Sequence, residues 1–307
     1  MRRLQSVLTI VVTLIVLLKV GMMIMSRLSS GSYTGWTTWV FGSLASIYGV
    51  ARVRQKIGND KYFKAACKKS VAVILLCGGE GKRMHSDTPK QFMMLQGKAV
   101  CLRCFDTLVM HPYTVSIVVV CEDKYRNIFT EEYNRLFPAW KRLTDDAPHL
   151  IFADNSRESR HESMLCGFNA LQRSGIACSA VAIHDGARPL LTSEDFTRVC
   201  NDAYEAGAAI LATQCKPTLK RVDEAGNFVS STIDRSELWE AQTPQVFKKE
   251  VLIDGLSKFS ADQEAPTDDS MLVESITNVK VTRGSSSNIK LTSPEDLKIA
   301  EAILSSL

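Results

Sequence analysis

From about Lys69 onward the sequence predicts an α/β fold built on a doubly wound, mostly parallel sheet. Three observations predict it: short unbroken apolar runs of strand length, helix-patterned segments between them, and a first run that closes on a glycine turn. Unbroken apolar runs mark strands buried on both faces, and their alternation with helices sets the ligand at the strands' carboxyl ends.

In chain order, residues 1–68 stand outside that fold. Residues 1–59 carry no Asp or Glu but include Arg2, Arg3, Lys19, Arg27, Arg52, Arg54 and Lys56, and the first acid is Asp60. An apolar run over Val7–Leu18 follows Arg2 and Arg3 and resumes past Lys19 to Met25. It is apolar on all faces rather than striped, which disfavours a helix packed on a domain. A membrane span needs roughly 20 apolar residues and Lys19 interrupts this one, so the segment reads as a targeting sequence for organelle import, with a plastid as the leading case. Anchoring through residues 7–25 is the alternative, and membrane contact is expected through this segment alone. The mature chain is expected to begin near residues 55–70.

The domain over 69–307 opens with Ser70–Gly79 (SVAVILLCGG), a buried strand ending in glycines. Further strands are predicted at Val115–Cys121, Val181–His184 and Ala208–Thr213, with helices at Val100–Met110, Tyr125–Leu136, His161–Arg173 and Ser193–Ala206. Over about 214–236 the pattern breaks. Thr218–Val222 and Phe228–Ile233 flank the turn formers Asp223, Glu224, Gly226 and Asn227, a β-hairpin signal. A two-stranded arm is marginal alone, so it is expected to pack on a second subunit and form a homodimer. A helix near Lys248–Phe259, a run at Lys280–Thr282 and a helix begun by Ser293-Pro294-Glu295 close the chain.

With 45% hydrophobic and 23% charged residues in 307, the chain is globular rather than disordered. A net charge of +4, partly made at the N-terminus, and the lack of a basic stripe with stacking aromatics argue against a nucleic-acid partner. Nine scattered cysteines, an odd number, fit a reducing compartment better than a disulfide framework. Cys101 and Cys104 recur with Val100, Phe105 and Leu108 at helical spacing and read as core. No clustered His and Cys set has metal-ligand spacing, so no metal site made by the protein is expected.

The chemistry concentrates at Cys77-Gly78-Gly79-Glu80-Gly81-Lys82-Arg83, followed by Thr88-Pro89-Lys90-Gln91-Phe92. Glycines let backbone N–H groups approach phosphate oxygens with no Cβ in the way, and Arg83 and Lys90 add positive charge. The spacing is neither a Walker A loop nor G-x-G-x-x-G. This stretch resembles the sugar-phosphate nucleotidyltransferase superfamily and, through Thr88–Gln91, its cytidylyltransferase branch. His184-Asp185-Gly186-Ala187-Arg188-Pro189, Leu238-Trp239-Glu240-Ala241-Gln242-Thr243-Pro244-Gln245 and the stretch Asn288–Leu297 resemble later motifs of that branch, in the same order. The chain is identified as similar to the plastid members of the 2-C-methyl-D-erythritol 4-phosphate cytidylyltransferase family, of the non-mevalonate isoprenoid pathway.

The resemblance implies a Rossmann-like nucleotidyltransferase fold and transfer of CMP from CTP to 2-C-methyl-D-erythritol 4-phosphate, with release of pyrophosphate. It implies Arg83 and Lys90 as transition-state stabilisers, and Arg235 and Lys290 as the pair that holds the acceptor phosphate. Cys77, Gly78, Gly79 and Gly81 would line the nucleotide, Asp185 and Gly186 would meet its ribose, and Ser163 with the 157–160 stretch its base. Arg188, Thr218, Arg235 and Thr243 would meet the acceptor, a small phosphorylated polyol, with Thr218 and Arg235 reaching a partner's site from the arm. Mg²⁺ is implied as cofactor, held mainly by the triphosphate of CTP. Arg157–Ser163 departs from the family's glycine and acidic pattern, and His161 reads as an exposed helix residue. Two rival readings stand beside this one: a pentitol (ribitol) 5-phosphate cytidylyltransferase, and an inactive, membrane-tethered nucleotide-binding scaffold.

Overall fold

The computed structural model describes residues 69–79, 88–138, 147–156, 159–259 and 266–306. The N-terminal segment, with its run at residues 7–25, lies outside them. Among the described residues no helix is long and apolar enough to cross a membrane.

The elements run β1 (Val71–Leu76), β2 (Met94–Leu95), β3 (Lys98–Ala99), α1 (Val100–Val109), β4 (Thr114–Val120), α2 (Arg126–Leu136), β5 (His149–Ala153) and α3 (Arg160–Ser174). They continue through β6 (Ala180–Asp185), α4 (Ser193–Ala206), β7 (Ala208–Gln214), β8 (Leu219–Val222), β9 (Val229–Ile233), β10 (Trp239–Lys248), α5 (Lys249–Lys258), β11 (Val279–Arg283) and α6 (Pro294–Ser305). A seven-stranded sheet is ordered β11-β7-β10-β6-β1-β4-β5. Its pairings are parallel except for those of β10, which is antiparallel to both β6 and β7.

The inner strand β1 is buried at every position, as its VAVILL run requires. Its Ala72, Ile74 and Leu76 pack with Met164, Phe168 and Leu171 of α3 and Leu252 of α5. Local chemistry sets the helix ends. The Ser159 side chain accepts from the Glu162 N–H at the start of α3, and Gly175 ends that helix at φ 67°. A capping box of Ser293 and Asp296, with Pro294 in the first turn, starts α6.

Two strands of the seven-stranded sheet were not legible in the sequence, nor was the short pair β2–β3. β10 carries Pro244, which ordinarily argues against a central strand because proline cannot donate to the ladder. The sheet accommodates it where the β10–β7 register shifts between Ala241 and Gln245, and the Thr243–Pro244 peptide bond is cis. The edge strand β5 is only partly buried, and its apolar run is short and follows the exposed His149. The expected arm is present as the antiparallel pair β8–β9, separate from the main sheet and exposed along most of its length.

Candidate active site

From β1 the chain passes to β4 and β5, then returns to β6 on the other side of β1. The crevice at the carboxyl ends of β1 and β6 is therefore a topological switch point. Register pairs Leu76 with Asp185, so the glycine turn after β1 lies beside the loop that leaves β6. The Gly186 N–H donates to the Leu76 carbonyl at 2.8 Å. A Cβ on Gly186 would lie 2.6 Å from Cys77 Sγ and 3.0 Å from the Leu76 oxygen, so this approach requires glycine. Gly79, at φ 108°, has a backbone that a side chain would strain.

A pocket of about 290 Å³ opens here, lined by Gly78, Gly79, Lys90, Gln91, Arg160, Asp185, Lys290 and Thr292 among others. The Asp185 carboxylate anchors it. Oδ1 accepts from Arg160 Nε at 2.9 Å, and Oδ2 pairs with Lys290 Nζ at 2.7 Å. Burial alone would raise this carboxyl, but Arg160, then Lys290 and Arg188, hold it well below the usual carboxylate range, so it is anionic. Arg160 also donates through Nη1 to Asp269 Oδ1 at 2.8 Å. Burial would lower its guanidinium, yet Asp185 and Asp269 together hold it up.

Lys290 reaches the pocket because its neighbour Leu291 donates its N–H to the Ala187 carbonyl at 2.9 Å. Lys90 and Gln91 sit in a short 3-10 turn, Lys90–Phe92, that follows Pro89. Phe92 stacks on Tyr125 with ring centroids 3.7 Å apart and fixes that turn on α2's entry. Lys90, Arg160 and Lys290 outweigh the one carboxylate among the lining residues, which suits a polyphosphate ligand.

The family model for 2-C-methyl-D-erythritol 4-phosphate cytidylyltransferase matches residues 71–306. The chain belongs to that family. A relative from Oryza sativa subsp. japonica, named 2-C-methyl-D-erythritol 4-phosphate cytidylyltransferase, chloroplastic, is 38% identical over 242 residues, covering 78% of this chain and 76% of the relative. The enzyme of that name from Geobacillus thermodenitrificans is 38% identical over 234 residues, 76% of this chain and 96% of the relative. The crystal structure of 4-diphosphocytidyl-2C-methyl-D-erythritol synthase from Anaerococcus prevotii matches with a TM-score of 0.63 at 27% identity, over 77% of this chain and 99% of that one. The Rossmann-like fold and the cytidylyltransferase family expected from the motifs both stand.

Of the residues that the family resemblance singles out, Gly78, Gly79, Lys90, Asp185 and Lys290 line the pocket. Gly81 and Arg83 lie outside the described residues, as does Arg157. Cys77 is buried behind the turn, where burial pushes its thiol up and leaves it unreactive. Ser163 is buried and donates to the Ser156 and Ser159 carbonyls, each at 3.1 Å, shaping the loop before α3. Thr243 supports Asp185 from behind: its Oγ1 accepts from the Asp185 N–H at 3.1 Å and meets His184 Nδ1 at 3.0 Å. Burial lowers His184 to about 4, so the ring is neutral. Its Nε2 faces the Arg188 carbonyl at 3.2 Å, which completes a chain with one consistent set of protons.

Arg188 is buried, with Nη1 on the Asn288 carbonyl at 2.7 Å and Nη2 on the Ala241 carbonyl at 3.3 Å. Thr218 and Arg235 are exposed at the arm's base, and Arg235 donates to the Lys216 carbonyl at 2.5 Å. Neither lines the pocket of a single chain. His161 is a correction. It is buried, with its ring 5.3 Å from that of Phe259, because its face of α3 turns toward the end of α5 rather than to solvent. Gln91 and Asp269 had no assigned role in the sequence reading, and Arg160 entered it only within the 157–160 stretch expected at the base. Gln91 lay within the quoted Thr88–Gln91 motif, whereas nothing local marks the pairing of Arg160 with Asp269.

Proposed function

We propose that this protein transfers CMP from CTP to 2-C-methyl-D-erythritol 4-phosphate and releases pyrophosphate. The observation that carries the proposal is the convergence of Lys90, Arg160 and Lys290 around Asp185 beneath the glycine turn, in a chain of this family. An oxygen of the acceptor's phosphate attacks the α-phosphorus of CTP in line. The bond to the bridging oxygen breaks on the opposite side, and pyrophosphate leaves with that electron pair, so no covalent nucleophile is needed. Lys90 and Arg83 offset the charge that builds at the α-phosphate. Lys290, held in place by Asp185, steers the acceptor phosphate, while the Asp185–Gly186 loop meets the ribose.

Arg188, buried with hydrogen bonds to two carbonyls, adds positive charge beside Asp185 and would favour an anionic acceptor nearby. Val222, Phe228 and Val229 are 49%, 75% and 61% exposed on the arm, apolar surface that a second subunit would cover. In such a homodimer Thr218 and Arg235 would complete the neighbouring pocket. Mg²⁺ would enter as a companion of CTP, held mainly by the triphosphate oxygens, because both oxygens of Asp185, the one carboxylate among the lining residues, are already paired with Lys290 and Arg160. It would supply further charge neutralisation at the phosphates. A plastid address after removal of residues 1–68 is consistent with the rice relative's name.

The test is acceptor-dependent pyrophosphate release. With CTP and Mg²⁺, the purified protein should release pyrophosphate when 2-C-methyl-D-erythritol 4-phosphate is present and not with ribitol 5-phosphate. The opposite preference would establish the pentitol reading, and release with neither acceptor would favour the scaffold.

A further inference from the structure

Lys290 stands in a stretch, residues 284–293, that is neither helix nor strand, between the end of β11 at Arg283 and the start of α6 at Pro294. With no ladder of its own, such a backbone is held by individual hydrogen bonds and by burial. Upstream of the lysine, the Asn288 side chain donates to the Thr243 carbonyl at 2.9 Å, and the Asn288 carbonyl accepts from Arg188. Next to it, Leu291 is fully buried and gives its N–H to Ala187. Downstream, one atom gathers three donors. Asp296 Oδ2 accepts from the Thr292 N–H at 2.7 Å, the Thr292 hydroxyl at 2.7 Å and the Ser293 N–H at 2.8 Å. A capping box accounts for the Ser293 bond alone. The two Thr292 bonds are additional, and Thr292 lines the pocket two residues after Lys290. Burial would raise the Asp296 carboxyl, but the Thr292 and Ser293 donors hold it below its ordinary value, so these bonds are charge-assisted.

Resting on the proposed role of Lys290 in steering the acceptor phosphate, we infer that Asp296 is a positioning residue for that lysine: its carboxylate fixes the backbone of Thr292 and Ser293 and thereby holds the Lys290 ammonium on Asp185 at the pocket wall. Asp296 does not itself line the pocket. Lys290 Nζ meets Asp185 Oδ2 at 2.7 Å from the end of a flexible four-carbon stem, so its aim is only as well defined as the backbone beneath it. Leu291 pins that backbone on one side and Asp296 pins it on the other. Without the carboxylate, two N–H groups and a hydroxyl turn to water, and the ammonium spends part of its time away from Asp185. A displacement of about 1 Å at such a group is enough to cost orders of magnitude in rate.

The experiment compares the full-length protein with Asp296→Ala, Asp296→Asn and Ser293→Ala. The last removes the hydroxyl half of the capping box and leaves all three donors to Asp296 in place. Kinetics are measured with CTP and 2-C-methyl-D-erythritol 4-phosphate, and acetylation of Lys290 by N-hydroxysuccinimide acetate is followed in parallel by mass spectrometry. In Asp296→Ala the KM for the acceptor should rise about tenfold while that for CTP stays within about twofold. Lys290 should be acetylated at least about threefold faster, because a paired ammonium must first leave its carboxylate. Asp296→Asn, which keeps an acceptor oxygen without the charge, should fall between Asp296→Ala and the wild type on both readouts. Ser293→Ala should lower the melting temperature, as loss of a cap does, and move neither readout. Changes of equal size in Asp296→Ala and Ser293→Ala, or none in either, overturn the inference and leave Asp296 as a helix cap. If Asp296→Ala does not fold, Asp296→Asn is set against Ser293→Ala: faster acetylation in Asp296→Asn alone supports the inference, and equal rates overturn it. Should the wild type release no pyrophosphate, the enzyme reading fails separately, and the acetylation rates decide the positioning of Lys290.

Discussion

Asp185 takes Arg160 on one carboxylate oxygen and Lys290 on the other, while Thr243 fixes its backbone N–H. Lys90 approaches from the opposite wall on a turn of its own. Lys90→Ala should therefore fold normally yet lose turnover by about 10²–10³-fold, the usual cost of one preorganised charge at a reacting centre; unchanged kcat beside an unchanged melting temperature would contradict the assignment. Two buried histidines set the acid limit of stability. Burial lowers both His111 and His184 to about 4 from an ordinary value of 6.5. Between these values the unfolded chain binds more protons, so stability is complete above pH 6.5 and is lost as pH falls toward 4. Each histidine contributes up to about 3 kcal/mol to that loss. In His111→Asn an amide oxygen replaces Nδ1 as acceptor from the Tyr113 N–H, so the fall in urea stability between about pH 7 and 4.5 should be smaller than in the wild type. At this scale Lys90, Asp185 and Lys290 were legible because each lies inside a motif. Arg160 was legible only as the end of the 157–160 stretch, and its ion pair with Asp269 was not, since it joins positions 109 residues apart. His161 was misread for a related reason: Phe259, which covers it, comes from a different helix end.

Elements announced themselves where one period dominated. The run of β1 and the helical spacing of α4 led to those elements with little shift at their ends, and turn formers between two short apolar segments disclosed the arm. β10 was hidden because the residues that read as a motif, Gln242-Thr243-Pro244-Gln245, are also strand. Their service to the site and their Pro244 both obscure the ladder, and only the register shift against β7 reconciles the two. The arm's proposed part in a dimer rests on its exposed apolar residues. Phe228→Asp should separate the proposed dimer in a sedimentation experiment without changing the melting temperature of the main domain. It should also lower turnover sharply, because Thr218 and Arg235 would no longer reach a neighbouring pocket. A fully active monomer would refute the arm's part in the site.

For the molecule as a whole, the fold class followed from alternation alone, and its switch point between β1 and β6 explains why two distant motifs meet. The N-terminal segment is tested independently: the protein purified from its native cells should begin near residues 55–70, and retention of Met1 would contradict removal of a targeting sequence. The most direct trial of the central claim is a structure of the protein in its native oligomeric state with CTP and Mg²⁺ bound. The account predicts the triphosphate on the Gly78–Gly79 turn, with the side chains of Arg83, Lys90 and Lys290, and Arg235 from a second subunit, directed at one phosphorus centre. A triphosphate bound elsewhere, or these cations directed at unrelated surfaces after the oligomer has assembled, would contradict it.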